Sequence, residues 1–216
     1  EATERGFIPN FGTTDGVKSR DRSQPPVGSM VILALYRRYG DRWLLDETYD
    51  TLLTWNRWWP EHRAWDGLLC WGSDPYEPVV DAHYEVHSVG DWQGAAFESG
   101  LDNSPMYDEV PFDEGRHLMA LQDVGLNGLY IMDCEALAGI ACILGRAADA
   151  EELTQRAEAY RGRMDTLWDN TTGLYLNRRA DTGEFTYRLS PTHFYPLLGQ
   201  VPTQAQAQRM VNEHLY

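Results

Sequence analysis

Two pairs of consecutive helices constrain the fold of this chain more than any other feature of its sequence. In each pair an almost wholly apolar segment (27–39 and 121–144) precedes an amphipathic one (42–59 and 147–168) after a short glycine-containing turn. A helix that is apolar on nearly every face is buried on most sides, so the first member of each pair is predicted to be an inner helix. The apolar faces of the amphipathic members are Leu45, Tyr49, Leu52, Leu53 and Trp59, and then Leu153, Ala157, Tyr160, Met164 and Leu167.

An inner ring of buried helices wrapped by an outer ring of amphipathic helices produces this alternation. We therefore predict an all-α fold of the (α/α)6-barrel, or toroid, type, with long loops at one end of the inner helices. A plain α-solenoid has similar periodicity, but it does not need the long segment at 60–114, which is rich in Gly, Pro, Asp and aromatic residues. Loops of that length in compact domains are uncommon and are usually functional or disordered, and the aromatic content argues against disorder.

Local signals set the other predicted boundaries. Proline suits the first turn of a helix and disrupts its interior, so Pro25 and Pro26 open the first helix and Pro60 ends the second, which Asp41 is placed to cap. The remaining predictions are irregular loop over 1–24, a hairpin over 173–188 with its turn at 181–183, and helical character at 193–199 and 203–216.

Charge and hydropathy restrict the partners of the chain. The net charge is −15, and no cluster of Lys and Arg occurs, which argues against a nucleic-acid partner. No stretch approaches the roughly 20 consecutive apolar residues of a membrane helix, because Asp133 and Glu135 interrupt the apolar region near 129–144. We expect a soluble chain without a membrane partner.

Cysteine and histidine spacing gives no sign of a disulfide framework or a metal site. The three cysteines are irregularly placed, and no Cys/His pair has zinc-ligand spacing. Cys134 and Cys142 are expected to be buried thiols, and His83, His87 and His193 are expected to have structural or surface roles. No oxygen-rich loop of the Asp-x-Asp-x-Asp type is present, so we predict neither a metal nor an organic cofactor.

Residues 91–108 (DWQGAAFESGLDNSPMYD) hold four acidic residues beside aromatic ones. Hydrolysis of a glycosidic bond uses one carboxylic acid to protonate the leaving oxygen and a second carboxylate to activate water. The acid must keep its proton near neutral pH, which requires a desolvated or charge-crowded site. Acidic loops also commonly cap helices or bind water, so composition alone leaves both interpretations open.

The run ESGLDNSP at 98–105, followed by Tyr107 and Asp108, resembles the signature loop of glycoside hydrolase family 63. This family includes processing α-glucosidase, mannosylglycerate hydrolase and glucosylglycerate hydrolase. The run GFIPNF…RDRSQPP at 6–26 resembles one that family 63 shares with the trehalase family, and LSPTHFYPLLG at 189–199 is similar to a third family 63 segment. The resemblance spans essentially the whole chain.

The resemblance implies roles for particular residues, each with a plainer alternative. Asp102 is implied as the general acid. Arg22 and Gln24 are implied to hydrogen-bond the hydroxyls of the sugar, with a surface charge as the alternative for Arg22. Trp92 is implied as a wall of the sugar pocket, with core packing as the alternative.

Four further residues flank this implied site. Glu98 and Asn103 position the acid or hold its loop, and Glu98 is equally well explained as a buried structural carboxylate. Trp71 is a stacking candidate for which core packing is the stronger alternative. Asp108 is expected either to hydrogen-bond within the loop or to cap it.

The resemblance implies an inverting hydrolase of a small α-linked glucoside or mannoside, with a small carbohydrate as partner. The family's general base is a Glu beyond a YWRG-type helix, and no such run occurs before Tyr216. The Trp-Asp pair that precedes the GFIPN run in the family is also missing. We therefore expect residues 1–216 to be the central portion of one barrel domain and to be close to inactive alone.

Two alternatives stay open. A trehalase-like hydrolase would use the same fold, but trehalases carry an ESGWDFS loop, whereas this chain has Leu101 and Asn103. A non-catalytic helical carbohydrate-binding or scaffold protein would explain the helices and the aromatic residues without any chemistry.

Overall fold

A computed structural model describes residues 2–14, 16–76 and 90–215 of the chain; His83 and His87 therefore lie outside the described residues. Helices dominate, as predicted. The α-helices are α1 (Gly28–Tyr39), α2 (Arg42–His62), α3 (Trp92–Glu98), α4 (Val124–Leu144), α5 (Ala147–Met164) and α6 (Gln204–His214). Short 3-10 helices form at Pro105–Tyr107, Asp165–Leu167 and Pro191–Leu197.

Each strand is only two residues long, and the strands pair to connect loop segments. They are β1 (Ala64–Trp65), β2 (Leu68–Leu69), β3 (Phe112–Asp113), β4 (Leu118–Met119), β5 (Leu121–Gln122), β6 (Trp168–Asp169), β7 (Leu174–Tyr175) and β8 (Arg178–Arg179). All the pairings are antiparallel: β1 with β2, β3 with β4, β5 with β8, and β6 with β7. The predicted hairpin over 173–188 is therefore only partly right, since β7 and β8 pair with strands outside it.

Helix α4 is the centre of the core. It packs against α5, α1, α2 and the 3-10 helix Pro191–Leu197. Helix α4 is the one helix in the described chain that has the length and apolar composition of a membrane-spanning helix. The prediction that no stretch approaches such a helix is therefore wrong. The apolarity of α4 is explained by the protein interior, because 72% of the apolar window is buried. Asp133 is tolerated there because its oxygens accept hydrogen bonds from the Ser29 amide (3.0 Å) and the Asn56 side chain (2.9 Å).

A close contact fixes the distance between α4 and the 3-10 helix Pro191–Leu197. A Cβ on Gly128 would lie 2.7 Å from the carbonyl carbon and oxygen of Tyr195. Such a distance is shorter than any van der Waals contact, so only glycine permits the two backbones to approach this closely at Gly128.

Helix α1 is less buried than its sequence predicts. Only Ser29 and Leu33 are buried, whereas Met30, Val31 and Leu35 are 39–44% exposed. The reason is that α1 packs against α2 and α4 on one side, and no element in the described ranges covers its other apolar side.

Helix α2 continues through Pro60 to His62, so the prediction that Pro60 ends it is wrong. A proline in a helix leaves the carbonyl four residues earlier without its usual N–H donor. Here the Tyr130 hydroxyl donates to the Asn56 carbonyl at 3.0 Å and takes the place of that donor. Asp41 occupies the N-cap position, but its side chain makes no capping hydrogen bond. The predicted apolar faces of α2 and α5 are buried throughout.

Two further predictions need correction. The segment 60–114 is not a continuous loop, because it contains α3 and two strand pairs. Cys142 is exposed in the last turn of α4, whereas Cys70 and Cys134 are buried, and all three are free thiols. Burial raises the pKa of Cys134 to about 12, so that thiol stays protonated.

Candidate active site

A cavity of about 570 Å³ lies where the three sequence runs singled out above come together. Gln24 and Pro25 of the RSQPP run line it, as do Ser99–Leu101 of the ESGLDN run. Thr192, Tyr195 and Leu198 of the SPTHFYPLLG run form another wall. Side chains at the start of α1 and along α4 add apolar surface to the lining, from Val27, Met30, Leu126, Leu129 and Met132.

The carboxylate of Glu98 holds three of the segments around this cavity together. It ends α3, is fully buried, and accepts the backbone N–H of Ser23 at 2.8 Å and of Gly72 at 2.7 Å. It also forms a two-point ion pair with Arg63, the residue that follows α2. The neighbours of Ser23, Gly72 and Glu98 along the chain are Gln24, Trp71 and Ser99, all of which line the cavity.

Arg63 is as buried as Glu98 and satisfies its remaining donors nearby. Its Nη1 donates to Asp74 at 2.9 Å, and its guanidinium lies 4.5 Å from the ring centroid of Trp58. A buried arginine is tolerated where carboxylates, carbonyls and an aromatic face surround it. Glu98 is therefore a buried carboxylate that joins these segments, and its predicted role toward Asp102 stays a prediction.

Asp102 and Asn103 lie on the loop between α3 and the 3-10 helix Pro105–Tyr107, and both are exposed. Their neighbour Leu101 faces the cavity, which places Asp102 one residue from the cavity lining. From the sequence we expect a desolvated acid at this position. The described part of the chain does not supply that desolvation, because an exposed carboxyl keeps its hydration.

The other predicted binding residues divide into two groups. Gln24 and Trp71 line the cavity, and Trp71 is 4% exposed, so it is both a core residue and part of the wall. Arg22, Trp92 and Asp108 are not among the lining residues of the described chain.

Arg22, Trp92 and Asp108 make contacts of their own. The alternative of a surface charge is wrong for Arg22, which is buried, bonds both oxygens of Asp21 and lies 5.2 Å from the ring centroid of Phe97. Trp92 packs on the core and donates its indole N–H to the Val110 carbonyl at 3.0 Å. Asp108 is exposed and pairs with Arg188 at 3.3 Å.

Two cavity residues, Asp123 and Tyr107, are not among the site residues predicted from the sequence. Asp123 caps α4, where its Oδ1 accepts the Leu126 amide at 2.8 Å. Burial raises the pKa of Asp123, and burial also raises the pKa of Tyr107. An acid directly before an apolar helix is ordinarily explained as a helix cap. For that reason the sequence gives no sign that the second carboxylate oxygen of Asp123 lies at the cavity.

The described residues contain no side-chain cluster of the kind that holds a metal ion. Across 2–14, 16–76 and 90–215 no group of three or more His, Cys, Asp or Glu residues is placed to hold a metal ion. The cavity itself has a single acidic side chain, that of Asp123, among its described lining residues.

Comparison with known proteins decides the family. Residues 1–215 match the family described as the mannosylglycerate hydrolase MGH1-like glycoside hydrolase domain. The chain belongs to this family. A mannosylglycerate hydrolase of Rubrobacter radiotolerans is 27% identical over 225 residues, which cover 87% of this chain and 50% of that relative.

Solved structures of related enzymes share the fold. The family 63 mannosylglycerate hydrolase of Thermus thermophilus in complex with glucose has a TM-score of 0.74 at 21% identity, covering 98% of this chain and 60% of that one. Neutral trehalase from Saccharomyces cerevisiae has a TM-score of 0.70 at 18% identity, covering 90% of this chain and 44% of that one. The predicted (α/α)6-barrel fold is confirmed, and the chain spans about half to three fifths of the length of these mannosylglycerate hydrolases.

Proposed function

We propose that the polypeptide containing this chain is an inverting α-glycosidase that hydrolyses a glycosylglycerate, with Asp102 as the proton donor to the leaving oxygen. The observation that carries this proposal is the meeting of the RSQPP, ESGLDN and SPTHFYPLLG runs around one cavity, in a chain of the mannosylglycerate hydrolase MGH1-like family. The cavity volume of about 570 Å³ lies within the range of roughly 300–1,000 Å³ that is usual for small-ligand sites.

The proposed chemistry follows the inverting mechanism. The Asp102 carboxyl gives its proton to the glycosidic oxygen as the bond to the anomeric carbon breaks. A water molecule attacks that carbon from the opposite face, and a second carboxylate takes the water's proton. In inverting enzymes the two carboxyl groups stand about 6.5–9.5 Å apart, which leaves room for the water. We assign the second carboxylate to a residue outside this chain.

Mannosylglycerate and glucosylglycerate are the first substrates to test. The curated relative carries the name mannosylglycerate hydrolase, and structures of the Thermus protein hold glucose in one case and Tris with D-glycerate in another. Trehalose is the second candidate, because the neutral trehalase has the same fold. The Leu101 and Asn103 side chains differ from the trehalase loop and favour the glycosylglycerates.

The test is turnover by the full-length polypeptide that contains residues 1–216. We expect Asp102→Asn to lower kcat at least a hundredfold on the best of these substrates and to keep substrate binding, since general acid catalysis contributes roughly 10²–10⁴-fold. Glu109→Gln is the matched control, because Glu109 is an exposed acid in the same loop region. NMR of the first product should show the β-anomer of the released sugar.

Three results would contradict the proposal. Near-normal turnover by Asp102→Asn would instead support a non-catalytic role for this residue, and an α-anomer as the first product would exclude inversion. The isolated chain 1–216, assayed beside the full-length polypeptide, is expected to give close to no turnover, and full activity would contradict the assignment of the base.

A further inference from the structure

Three side chains of the cavity each have a buried polar atom without a hydrogen-bond partner in the described chain. These atoms are the indole Nε1 of Trp71, the hydroxyl oxygen of Tyr107 and Oδ2 of Asp123. All three residues are more than nine-tenths buried. A buried polar atom without a partner is destabilising and native proteins contain few of them, so three around one cavity are unusual.

The three groups are neighbours, although they come from separate segments of the chain. The Trp71 indole lies within reach of both others, and as a potential hydrogen-bond donor it partly opposes the rise in pKa that burial causes at Tyr107 and at Asp123. Ser99 acts on Tyr107 in the same way, but none of these contacts has the distance and angle of a formed hydrogen bond. Trp71 follows β2, Tyr107 ends a 3-10 helix, and Asp123 precedes α4. The fold thus collects one polar cluster at the first turn of α4, in an otherwise largely apolar cavity.

Structural roles account for only part of this cluster. Oδ1 of Asp123 caps α4 by accepting the Leu126 amide, whereas Oδ2 has no partner in the described chain. Elsewhere in the core the indole nitrogens of Trp58 and Trp59 also have no partner in the described chain, but neither residue lines the cavity. The distinguishing observation is that a donor, a phenol and a carboxyl oxygen meet at the same cavity.

The chemistry of the cluster selects its ligand. An indole N–H only donates, an ionised carboxylate oxygen only accepts, and a phenol does either. A hydroxyl group complements all three, because it donates one hydrogen bond and accepts others. An anionic group fits poorly, since no Lys, Arg or His of the described chain lines the cavity and Asp123 is acidic.

We propose that Trp71, Tyr107 and Asp123 form a subsite that binds a hydroxyl group of a neutral sugar ring, and that the glycerate carboxylate of the substrate binds elsewhere. This inference rests on the proposed function for its substrate. The sugar ring of a glycosylglycerate would then bind at the end of the cavity near α4, with the glycerate pointing away from that end. The neighbouring side chains of Leu126 and Leu129 offer apolar surface to the C–H groups of the ring.

The test is calorimetric titration of the full-length polypeptide with D-mannose, D-glucose and D-glycerate. Tyr107→Phe removes only the hydroxyl group, and Asp123→Ser removes Oδ2 while keeping a side chain that caps helices well. We expect each variant to bind the preferred hexose about tenfold more weakly, as expected for the loss of one hydrogen bond, and to bind glycerate as the wild type does. Tyr175→Phe is the control, because Tyr175 is a buried tyrosine outside the cavity.

Circular dichroism and the unfolding transition of each variant exclude misfolding as the cause of weaker binding. Unchanged hexose binding by both folded variants would overturn the subsite, and so would weaker binding of glycerate rather than of hexose. These results are separate from the test of the proposed function. If wild type hydrolyses a glycosylglycerate but both variants bind hexose normally, only the subsite is wrong. If the variants lose hexose binding while Asp102→Asn turns over normally, only the catalytic assignment is wrong.

Discussion

Glu98 and Arg63 face each other through two parallel hydrogen bonds, Nε to Oε2 at 2.8 Å and Nη2 to Oε1 at 2.9 Å, with both side chains fully buried. This geometry is the strongest that an ion pair between these residue types adopts. The same carboxylate holds the amides of Ser23 and Gly72, so one side chain joins the end of α2, the RSQPP run and the segment after β2 to the Asp102 loop. Changes at this pair should be felt throughout the candidate site.

The first prediction concerns the stability contributed by this pair. Glu98→Ala should lower the free energy of unfolding by about 3–5 kcal/mol, because it leaves the Arg63 charge buried with one partner fewer. Urea unfolding monitored by tryptophan fluorescence measures the change. Glu152→Ala is the control: Glu152 pairs with Arg57 and Arg156 at the surface, where a loss of less than about 1 kcal/mol is expected. Equal losses in the two variants would mean that burial does not set the strength of the Glu98 pair.

The second prediction concerns pH and His193. The side chain of His193 is buried, and its Nδ1 accepts the Ser190 amide at 3.2 Å, which completes a capping box. Burial lowers the pKa of His193 to about 4, against about 6.5 in an unfolded chain. Between these values the unfolded chain binds more protons, so the His193 contribution to stability is lost as the pH falls from about 6.5 to 4, by at most about 3 kcal/mol.

Replacement by glutamine isolates this contribution. Gln also serves at the third position of a capping box, and it does not titrate. His193→Gln should therefore lose less stability than the wild type between pH 6.5 and pH 4, as measured by denaturant unfolding at each pH. His214→Gln, at an exposed position, should follow the wild type. Identical pH profiles for His193→Gln and the wild type would show that another group carries the dependence.

The third prediction concerns the contact between α4 and the 3-10 helix Pro191–Leu197. Alanine favours a helix over glycine by about 1 kcal/mol, yet Gly128→Ala should destabilise the protein by about 1–3 kcal/mol. The reason is that the new Cβ would meet the backbone of Tyr195 at 2.7 Å, and backbone does not move aside easily. Gly139→Ala, in the same helix, would meet only Leu33 at 3.4 Å and should be neutral or stabilising. The midpoint of urea unfolding compares the two, and a stable Gly128→Ala variant would refute the close approach.

The sequence predicts best what contiguous residues decide. The apolar spacing within α2 and α5 identifies their buried faces correctly, because the period of a helix is a local property. The extent of burial of α1 is not local, since it depends on which elements cover that helix. Pro60 shows the same limit: the donor that lets α2 continue past it is the hydroxyl of Tyr130, on another helix.

The candidate site shows this limit most clearly. Among the site residues predicted from the sequence, Gln24 and Trp71 line the cavity. The contacts of Glu98 with Arg63 and Gly72 join residues 35 and 26 positions apart, and no spacing in the sequence announces them. Asp123 could not be predicted as a site residue for a different reason. One of its carboxylate oxygens caps α4, and only the structure shows that the other lies at the cavity.

The arrangement of α4 and α5 also bears on how the chain is made. Only Gly145 and Arg146 separate these helices, so closing the α4–α5 hairpin costs little chain entropy. The contact of α4 with α1, by contrast, joins residues 104 positions apart. A ribosome that has released residues up to Met164 has therefore already supplied α5, one of the helices that pack against α4, so the pairing of these two helices does not depend on the synthesis of any later segment.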